Sequence, residues 1–178
     1  MRIISGTFKA RRILAPKNLP VRPTTDMAKE ALFNIINHRY HFHDISFLDL
    51  FAGTGNISYE FASRGTEYIV AVDQNFRCTK FIDKTAKEFN MPIQVIKADV
   101  FSFLEKTKQT QTIIFADPPY ELEHSKFLKI IETVFKNQLL EIEGIFIIEH
   151  SKQTDLSESP HFSEVKSYGG NCFSFFEN

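Results

Sequence analysis

The 178-residue sequence predicts an α/β fold in which a mostly parallel sheet is covered by helices on both faces. Three observations support this. From residue 44 onward, short apolar runs alternate regularly with segments of helical period. The apolar runs are nearly continuous, which is typical of strands buried on both faces. The last runs, residues 161–177, lie around Gly169-Gly170 and predict an antiparallel hairpin at the end of the sheet.

The front of the chain, residues 1–43, has a different pattern. Its first segment, RIISGTFKARRILAP, predicts a small β element. The segment RPTTDMAKEALFNIINHRY then predicts a helix that begins near Thr24, Thr25 and Asp26, because their side-chain oxygens can accept hydrogen bonds from the first turn. We therefore expect a small β/helix extension before the sheet.

Five predicted strands follow, with a helix after each of the first four, and the terminal hairpin brings the sheet to seven strands. The strands are predicted at ISFLDLF, YIVAVD, PIQVIKAD, TIIFAD and GIFIIEH. The helices are predicted at NISYEFASRG (closed by Gly65), FRCTKFIDKTAKEFN, VFSFLEKT and HSKFLKIIETVFKNQLL. In the second of these helices, Phe76, Phe81, Ile82 and Phe89 form the expected apolar face.

Composition and length indicate one soluble domain, residues 1–178, with 43% hydrophobic and 24% charged residues. No apolar run approaches the roughly 20 residues of a membrane-spanning helix, and the N-terminus has no signal-peptide core. Cys78 and Cys172 lie far apart and form neither a disulfide framework nor a metal-binding spacing. We expect a cytoplasmic protein, and nothing in the sequence requires more than a monomer.

Charge is distributed unevenly along the chain. The net charge is −1, but residues 1–25 hold six basic and no acidic residues, which leaves 15 basic and 22 acidic residues elsewhere. A basic N-terminal segment on an otherwise acidic protein is expected of a domain that binds phosphates at one edge. A solvated terminal hairpin with a chance excess of charge gives the same pattern, so this feature alone leaves nucleic-acid binding open.

The segment LDLFAGTGN, residues 48–56, lies where the first strand turns into its helix. Gly53 and Gly55 would let the backbone pass close to a ligand, because glycine has no Cβ. The segment lacks the third glycine of a dinucleotide signature and the lysine of a phosphate-binding loop. Instead Asp49 precedes the glycines, which favours a positively charged ligand such as S-adenosylmethionine, with its ammonium and sulfonium groups. A purely structural glycine turn is the alternative.

Two further acids follow the next two strands. Asp73 comes 18 residues after Gly55, about the interval at which an acid binds the ribose hydroxyls of an adenosine-containing cofactor. Asp99 closes the third strand, where its carboxylate could accept from an adenine amino group while Val100 or Phe101 flanks the ring. Taken singly, each acid is more often a helix cap. Together with Asp49 and Asp117, however, they mark the carboxyl ends of four strands, the edge at which open α/β sheets bind ligands.

The segment ADPPY ends the fourth strand and contains Asp117, Pro118, Pro119 and Tyr120. The prolines restrict the backbone and leave carbonyl groups free to accept. The Asp117 side chain and the Pro118 carbonyl could hold both hydrogens of a planar amino group and free its lone pair to attack a methyl group. Tyr120 could stack on the base, which is worth on the order of 1–3 kcal/mol. A Pro-Pro turn without function is the alternative.

Histidines and the end of the fifth strand give weaker signals. His38, His41 and His43 cluster in sequence but lack acidic or cysteine partners, so we predict no metal site. Glu149 and His150 end the fifth strand, where they could line the site or be an ordinary strand end.

DLFAGTGN together with ADPPY resembles the amino-methyltransferases of nucleic acids. The front segments RIISGTFKARRILAP and RPTTDMAKEALFNII narrow the resemblance to the bacterial 16S ribosomal RNA (guanine-N2)-methyltransferase family, over nearly the whole chain. The resemblance implies a Rossmann-like class I methyltransferase fold, S-adenosylmethionine as donor, no metal, and guanine in 16S RNA as substrate, of the guanine-966 type. It also implies a small-subunit ribosomal particle as partner and a division into an RNA-contacting extension, residues 1–43, and a catalytic core, residues 44–178.

The same resemblance implies roles for individual residues. Donor contacts are implied at Asp49, Phe51, Gly53, Gly55, Asp73, Asp99 and Val100, base handling at Asp117, Pro118, Pro119 and Tyr120, and RNA contacts at Arg2, Arg11, Arg12 and Arg22. Two alternatives stay open: an amino-methyltransferase for DNA adenine or cytosine or for a protein amide, which also present a flat NH₂ group, and a non-catalytic binding module that kept the fold.

Overall fold

The computed structural model describes residues 1–16, 19 and 25–178. The helices in these residues are α1 (Asp26–Arg39), α2 (Asn56–Arg64), α3 (Phe76–Glu88), α4 (Val100–Lys106) and α5 (His124–Lys136), with a 3-10 turn at Phe42–Asp44. The strands are β1 (Ser46–Leu50), β2 (Tyr68–Asp73), β3 (Ile93–Lys97), β4 (Gln111–Ala116), β5 (Leu140–Ser151), β6 (Phe162–Tyr168) and β7 (Asn171–Phe176).

These strands form one sheet in the order β3-β2-β1-β4-β5-β7-β6. The first five are parallel, whereas β7 runs antiparallel to β5 and to β6. The predicted α/β fold, with seven strands and a terminal hairpin, is therefore confirmed. The strand order reverses between β1 and β4, and the carboxyl ends at such a switch point form the crevice in which open α/β sheets bind ligands.

Helices cover both faces of the sheet, as the continuous apolar strands require. On one face, α4 and α5 pack against strand residues that include Leu50 and Val72. On the other face, α1 and α2 pack against residues that include Phe47 and Ile69, and α3 lies beside them through Ile82. Alternate strand residues point to opposite faces, so both layers of the core come from the same strands.

The N-terminal segment, residues 1–16, is called the arm below. The predicted β element is present there only as one antiparallel bridge between Arg2 and Arg12. Gly6 turns the chain at a φ of 83°, and beyond it the backbone N–H of Thr7 donates to the Ser63 carbonyl of α2 at 2.7 Å. The predicted small β element is therefore confirmed in a short form: the backbone N–H groups of Ile3 and Ile13 donate to the carbonyls of Arg11 and Met1 at 2.9 and 3.0 Å, while the turn between the two segments bonds to α2.

A buried ion pair fastens the arm to the core. Lys29 of α1 and Glu60 of α2 are both fully buried, 3.2 Å apart. The Lys29 ammonium also donates to the Arg2 carbonyl at 2.6 Å, and Glu60 accepts from the Ile4 and Ser5 N–H groups at 2.8 and 3.0 Å. Burial lowers the pKa of Lys29, opposed by the charge of Glu60. Removing one partner of such a pair costs about 3–5 kcal/mol, because a charge is left buried without its counterion.

The predicted start of α1 is confirmed, whereas one helix–strand boundary and one apolar position differ from the sequence prediction. Thr25 caps α1 by accepting from the Ala28 N–H at 3.2 Å, whereas Thr24 lies outside the described residues. Helix α5 ends at Lys136 and β5 begins already at Leu140, before a register shift in its pairing with β4. Phe76 was expected on a buried face but is 60% exposed, because it is the first residue of α3 and lies at the edge of the layer.

Candidate active site

A cleft of about 400 Å³ opens at the carboxyl ends of β1, β2, β3 and β4. This lies within the volume range of ligand sites, about 300–1,000 Å³. Ten of the eleven residues predicted for donor binding or catalysis line it: Asp49, Phe51, Gly53, Asp73, Asp99, Val100, Asp117, Pro118, Pro119 and Tyr120. The eleventh, Gly55, is not among the lining residues.

The glycine turn after β1 is made of left-handed backbone. Phe51, Gly53 and Gly55 have φ angles of 61°, 55° and 77°. This conformation is unusual for phenylalanine, and strained residues of this kind cluster at ligand sites. Gly55 is the N-cap residue of α2, and a Cβ there would lie 2.9 Å from the ring of Tyr59. Gly55 therefore shapes the turn, while Gly53 faces the cleft.

Asp73 is held by backbone donors. Its carboxylate accepts from the Gly53 N–H at 2.9 Å and from the Asn75 N–H at 2.7 Å, so it ties the glycine turn of β1 to the end of β2. Burial raises its pKa, and the two N–H groups oppose that rise. Each oxygen keeps capacity for a second hydrogen bond, as ribose hydroxyl groups would require.

Asp49 is the most enclosed acid of the donor side, with 2% of its surface exposed. The Ser58 hydroxyl donates to its Oδ2 at 2.5 Å. Burial raises the pKa of Asp49 to about 7, since a charged carboxylate is poorly solvated there. A positively charged ligand beside Asp49 would favour the carboxylate form.

Asp99 and Val100 form the third part of the donor side. Asp99 is exposed and caps α4, accepting from the Ser102 N–H at 2.9 Å. Val100 is buried and supplies an apolar wall. Phe101, the other residue predicted to flank an adenine ring, does not line the cleft.

The ADPPY segment forms the opposite wall. The Asp117 N–H donates to the Leu50 carbonyl at 3.3 Å, which joins this segment to the end of β1, and the Pro119 carbonyl accepts from Leu122 in a turn at 2.9 Å. Burial, together with the charges of Glu149 and Asp49, raises the pKa of Asp117 well above its usual value. Within the described residues no group donates a hydrogen bond to the Asp117 carboxylate, so its acceptor capacity faces the cleft.

Tyr120 is held in place by a chain of polar contacts that sequence reasoning missed. Its hydroxyl donates to Asn171 Oδ1 at 3.1 Å, and Asn171 Nδ2 donates to Glu149 Oε1 at 2.5 Å. The ring itself stays 43% exposed. Glu149, almost fully buried at the end of β5, therefore supports the site instead of being an ordinary strand end, whereas His150 bonds to Ser174 at 2.7 Å. Asn171 gave no sequence signal, because it follows the hairpin glycines 51 residues after Tyr120.

Asn56 and Asn75 also line the cleft without having been predicted. Asn56 is the first residue of α2, and its side-chain oxygen accepts from the buried Lys29 ammonium at 3.0 Å. Asn75 caps α3, accepting from the Arg77 N–H at 2.9 Å. Both residues sit at helix starts directly after the predicted turn and the predicted acid, so their positions were a usable signal.

The arginines predicted to contact RNA have different surroundings. Arg2 is about half exposed and pairs with Asp26 at 3.2 Å. The Arg11 guanidinium lies over the Phe89 ring, 4.8 Å from its centroid. Arg12 is exposed beside α3. Arg22 lies outside the described residues, so its predicted role has no structural counterpart here.

The described residues contain neither a cluster of metal-binding side chains nor a membrane-spanning helix. Among residues 1–16, 19 and 25–178, no group of three or more His, Cys, Asp or Glu side chains is placed to hold a metal ion. The ring of His43 instead packs where a Cβ of Gly65 would lie. No helix in these residues has both the length and the apolar character needed to span a membrane.

S-adenosylmethionine fits the chemistry of this cleft. Its ribose hydroxyls match the Asp73 carboxylate, its cationic groups match the buried Asp49, and Val100 offers an apolar wall. The fold agrees: a Thermus thermophilus structure titled 16S rRNA N2 G1207 methyltransferase (RsmC) in complex with AdoMet and guanosine superposes with a TM-score of 0.69, at 18% identity, over 89% of this chain and 45% of that chain. The chain therefore has the fold of the class I S-adenosylmethionine-dependent methyltransferases.

The chain belongs to the family described as conserved hypothetical protein 95, whose model matches residues 1–177. A Bacillus subtilis (strain 168) relative, YlbH, named as a candidate rRNA methyltransferase, is 34% identical over 89% of this chain and 87% of its own. Ribosomal RNA small subunit methyltransferase D of Buchnera aphidicola (subsp. Acyrthosiphon pisum) is 32% identical over 79% of this chain and 76% of its own. The resemblance of the sequence to rRNA methyltransferases is therefore confirmed at the level of the family.

Proposed function

We propose that this protein transfers a methyl group from S-adenosylmethionine to the N2 amino group of a guanine in 16S ribosomal RNA. The observation that carries the proposal is the partly buried Asp117 carboxylate, which has open acceptor capacity and faces the same cleft as the donor-side acids. The names of the relatives, rRNA methyltransferases among them, support RNA as the substrate.

When bound, the donor would supply a methyl group on a positively charged sulfur, and breaking that S–C bond would leave neutral S-adenosylhomocysteine. The Asp117 carboxylate and the Pro118 carbonyl accept the two amino hydrogens, which turns the nitrogen lone pair towards the methyl group. A positive charge develops on the nitrogen as it attacks, and the adjacent Asp117 carboxylate stabilises that charge. The raised pKa of Asp117 also lets it take up the proton that the methylated amine releases.

Tyr120 and the prolines position the base. The Tyr120 ring has an exposed face on which the guanine can stack, while its hydroxyl is held by Asn171. Proline fixes φ at Pro118 and Pro119, so little conformational freedom is lost when the base binds. Much of the rate enhancement comes from this positioning. The target guanine has to be unpaired or extruded, because its N2 edge is paired in a duplex.

The proposal also covers the form of the RNA substrate, the target base and the oligomeric state of the enzyme. We infer a small-subunit particle as the form of the substrate, guanine 966 as the target, and a monomer as the active species. We also infer that residues 1–43 contact RNA while residues 44–178 bind the donor and perform catalysis. The amino-methyltransferases of DNA and of protein amides share the same cradle chemistry, so the substrate has to be tested directly.

The experiment compares methyl transfer from radiolabelled donor into three acceptors: small ribosomal subunits from cells that lack this protein, the 16S RNA extracted from them, and duplex DNA. We expect incorporation into subunits or their RNA and none into DNA, with N2-methylguanosine as the product after nuclease digestion. A methylated adenine or cytosine would contradict the proposal, and so would donor binding without turnover on any of the three.

A further inference from the structure

A second groove, of about 670 Å³, lies between the arm and α3. Its apolar lining includes Ile13, Leu14, Phe81 and Phe89, and Leu14 is 86% exposed. Four basic residues and Glu88 are its charged members: the basic residues are Arg12, Arg77, Lys80 and Lys84, all exposed. The groove is therefore strongly basic although the whole chain has a net charge of −1.

These four basic side chains have no carboxylate partner in the part of the chain that the structure describes. On the same helix, by contrast, Lys87 pairs with Asp83 at 2.6 Å. Unpaired basic groups that converge from two segments of an otherwise acidic protein create a local positive potential, which attracts a polyanion.

The basic residues of α3 follow one face of the helix. Arg77, Lys80 and Lys84 are spaced by three and four residues, so they lie one above another over about 10 Å of helix. Arg12 joins them from the arm. The result is an elongated row of charges along the groove, which suits the repeating phosphates of a nucleic-acid strand better than a single anion.

The row leads to the active-site cleft. Helix α3 begins at Phe76, directly after Asn75, which lines the cleft. The Phe76 ring is 60% exposed, and the ammonium groups of Lys80 and Lys97 lie 6.0 and 5.6 Å from its centroid. An exposed aromatic ring close to two cations can stack on an unpaired base while the cations pair with the neighbouring phosphates.

We propose that this surface binds the RNA strand that flanks the target guanine. It consists of Arg12, Phe76, Arg77, Lys80, Lys84 and Lys97, and is called the α3 surface below. The inference rests on the proposed function and extends the predicted RNA contact from residues 1–43 to the catalytic core, residues 44–178. The charged groups hold the phosphate backbone, and Phe76 stacks on one base near the entrance to the cleft.

The test uses the full chain with Lys80→Gln and Lys84→Gln combined. The matched control combines Lys106→Gln and Lys136→Gln, which remove two exposed lysines from α4 and α5 on the opposite face of the sheet. Binding of unmethylated 16S RNA is measured by filter retention over a range of salt, with S-adenosylhomocysteine present. Donor affinity is measured separately by calorimetry, and thermal unfolding checks that each variant is folded.

We expect the α3 variant to bind 16S RNA about tenfold more weakly. The slope of log affinity against log salt concentration should become less steep by roughly 1.4 to 1.8, since two phosphate contacts are lost and each contributes about 0.7 to 0.9. The control variant should bind RNA with the affinity and salt slope of wild type. Both variants should bind the donor as tightly as wild type does. Phe76→Ala should lower RNA affinity without changing the salt slope, whereas Phe76→Tyr should retain it, because stacking depends on the ring.

Equal RNA binding by the α3 variant and the control variant would overturn the inference. If wild type methylated the guanine and the α3 variant had an unchanged KM for RNA, the RNA-binding role of the α3 surface would also be excluded. The proposed function would stand. If wild type methylated no RNA but bound it through Lys80 and Lys84, the proposed function would fail and the α3 surface would stand.

Discussion

The donor side of the cleft, with Asp49, Asp73 and Asp99, and the methyl-acceptor side, with Asp117 and Tyr120, hold their acids in different ways. On the donor side, Asp73 accepts from the backbone N–H groups of Gly53 and Asn75, and Asp99 accepts from Ser102 in its own helix cap. On the acceptor side, no described group donates to the Asp117 carboxylate, and Tyr120 depends on Asn171 from a strand near the end of the chain.

This difference shows how the two sides divide their work. The donor-side acids hold the turns in shape and also offer acceptors to a ligand, so they combine structure with binding. A partly buried carboxylate that receives no hydrogen bond is costly to keep charged, and the pKa of Asp117 is raised. The unbonded Asp117 carboxylate therefore lowers the stability of the fold. Its oxygens remain available to accept hydrogen bonds from the amino group of the substrate.

The largest effect is expected from breaking the acceptor side. Asp117→Ala removes the acceptor that orients the amino group and stabilises its developing charge, so kcat for methyl transfer should fall about 1,000-fold or more. Donor affinity should stay within a few-fold of wild type, because the donor-side acids remain. Single-turnover assays and donor titration measure the two separately. A variant that loses donor binding to the same extent would show that the two sides do not work independently.

Breaking the donor side should produce the opposite pattern. Asp73→Ala removes the proposed ribose acceptor and also releases the Gly53 and Asn75 N–H groups, so donor affinity should fall roughly 100-fold. RNA affinity should not change. Asp73→Asn keeps one acceptor oxygen and should lower donor affinity less. Calorimetry with S-adenosylhomocysteine measures the affinity of both variants for this donor product. Full donor affinity in the alanine variant would exclude Asp73 from the donor site.

A smaller effect is expected from loosening the hold on Tyr120. Asn171→Ala and Tyr120→Phe each break the hydroxyl contact but leave an aromatic ring for stacking, so each should lower kcat about tenfold. The double variant should be no worse than either single variant if both act through this one contact. A fully additive double variant would show that Asn171 acts through Glu149 instead.

The smallest effect concerns pH and sharpens the role of Asp49. Its pKa is raised to about 7, so the carboxyl group is mostly protonated below that pH when no donor is bound. A cationic donor favours the carboxylate, so binding releases a proton and affinity should rise about fivefold from pH 6 to pH 7, then level off. Donor titration across this range tests the prediction. Asp49→Asn should remove the pH dependence, and a profile that stays unchanged would rule out Asp49 as the titrating group.

Much of the cleft could be predicted from the sequence because its parts are local. Asp49, Asp73, Asp99 and Asp117 each lie at or directly after the end of an apolar strand, and a parallel sheet brings such ends to one edge. The glycine turn and the ADPPY turn are likewise specified by the conformational properties of a few adjacent residues.

Other features depended on contacts between distant segments, which no short-range pattern encodes. Asn171 meets Tyr120 only because β7 inserts between β5 and β6. The turn of the arm bonds to α2 at Ser63, a contact that the sequence of the arm does not indicate. Gly55 has a packing role that follows from its distance to the Tyr59 ring.

The sequence by itself determined the order of strands and helices and the chemistry at the strand ends, because backbone preference and apolar spacing act over a few residues. Only the tertiary structure decided which side chains meet across that edge and where the positive charge gathers. The lysines of α3 lie in a part of the chain with a net charge of −7, yet folding sets them beside Arg12 of the arm. Electrostatic potential depends on distance in space, and the order of residues along the chain does not specify that distance.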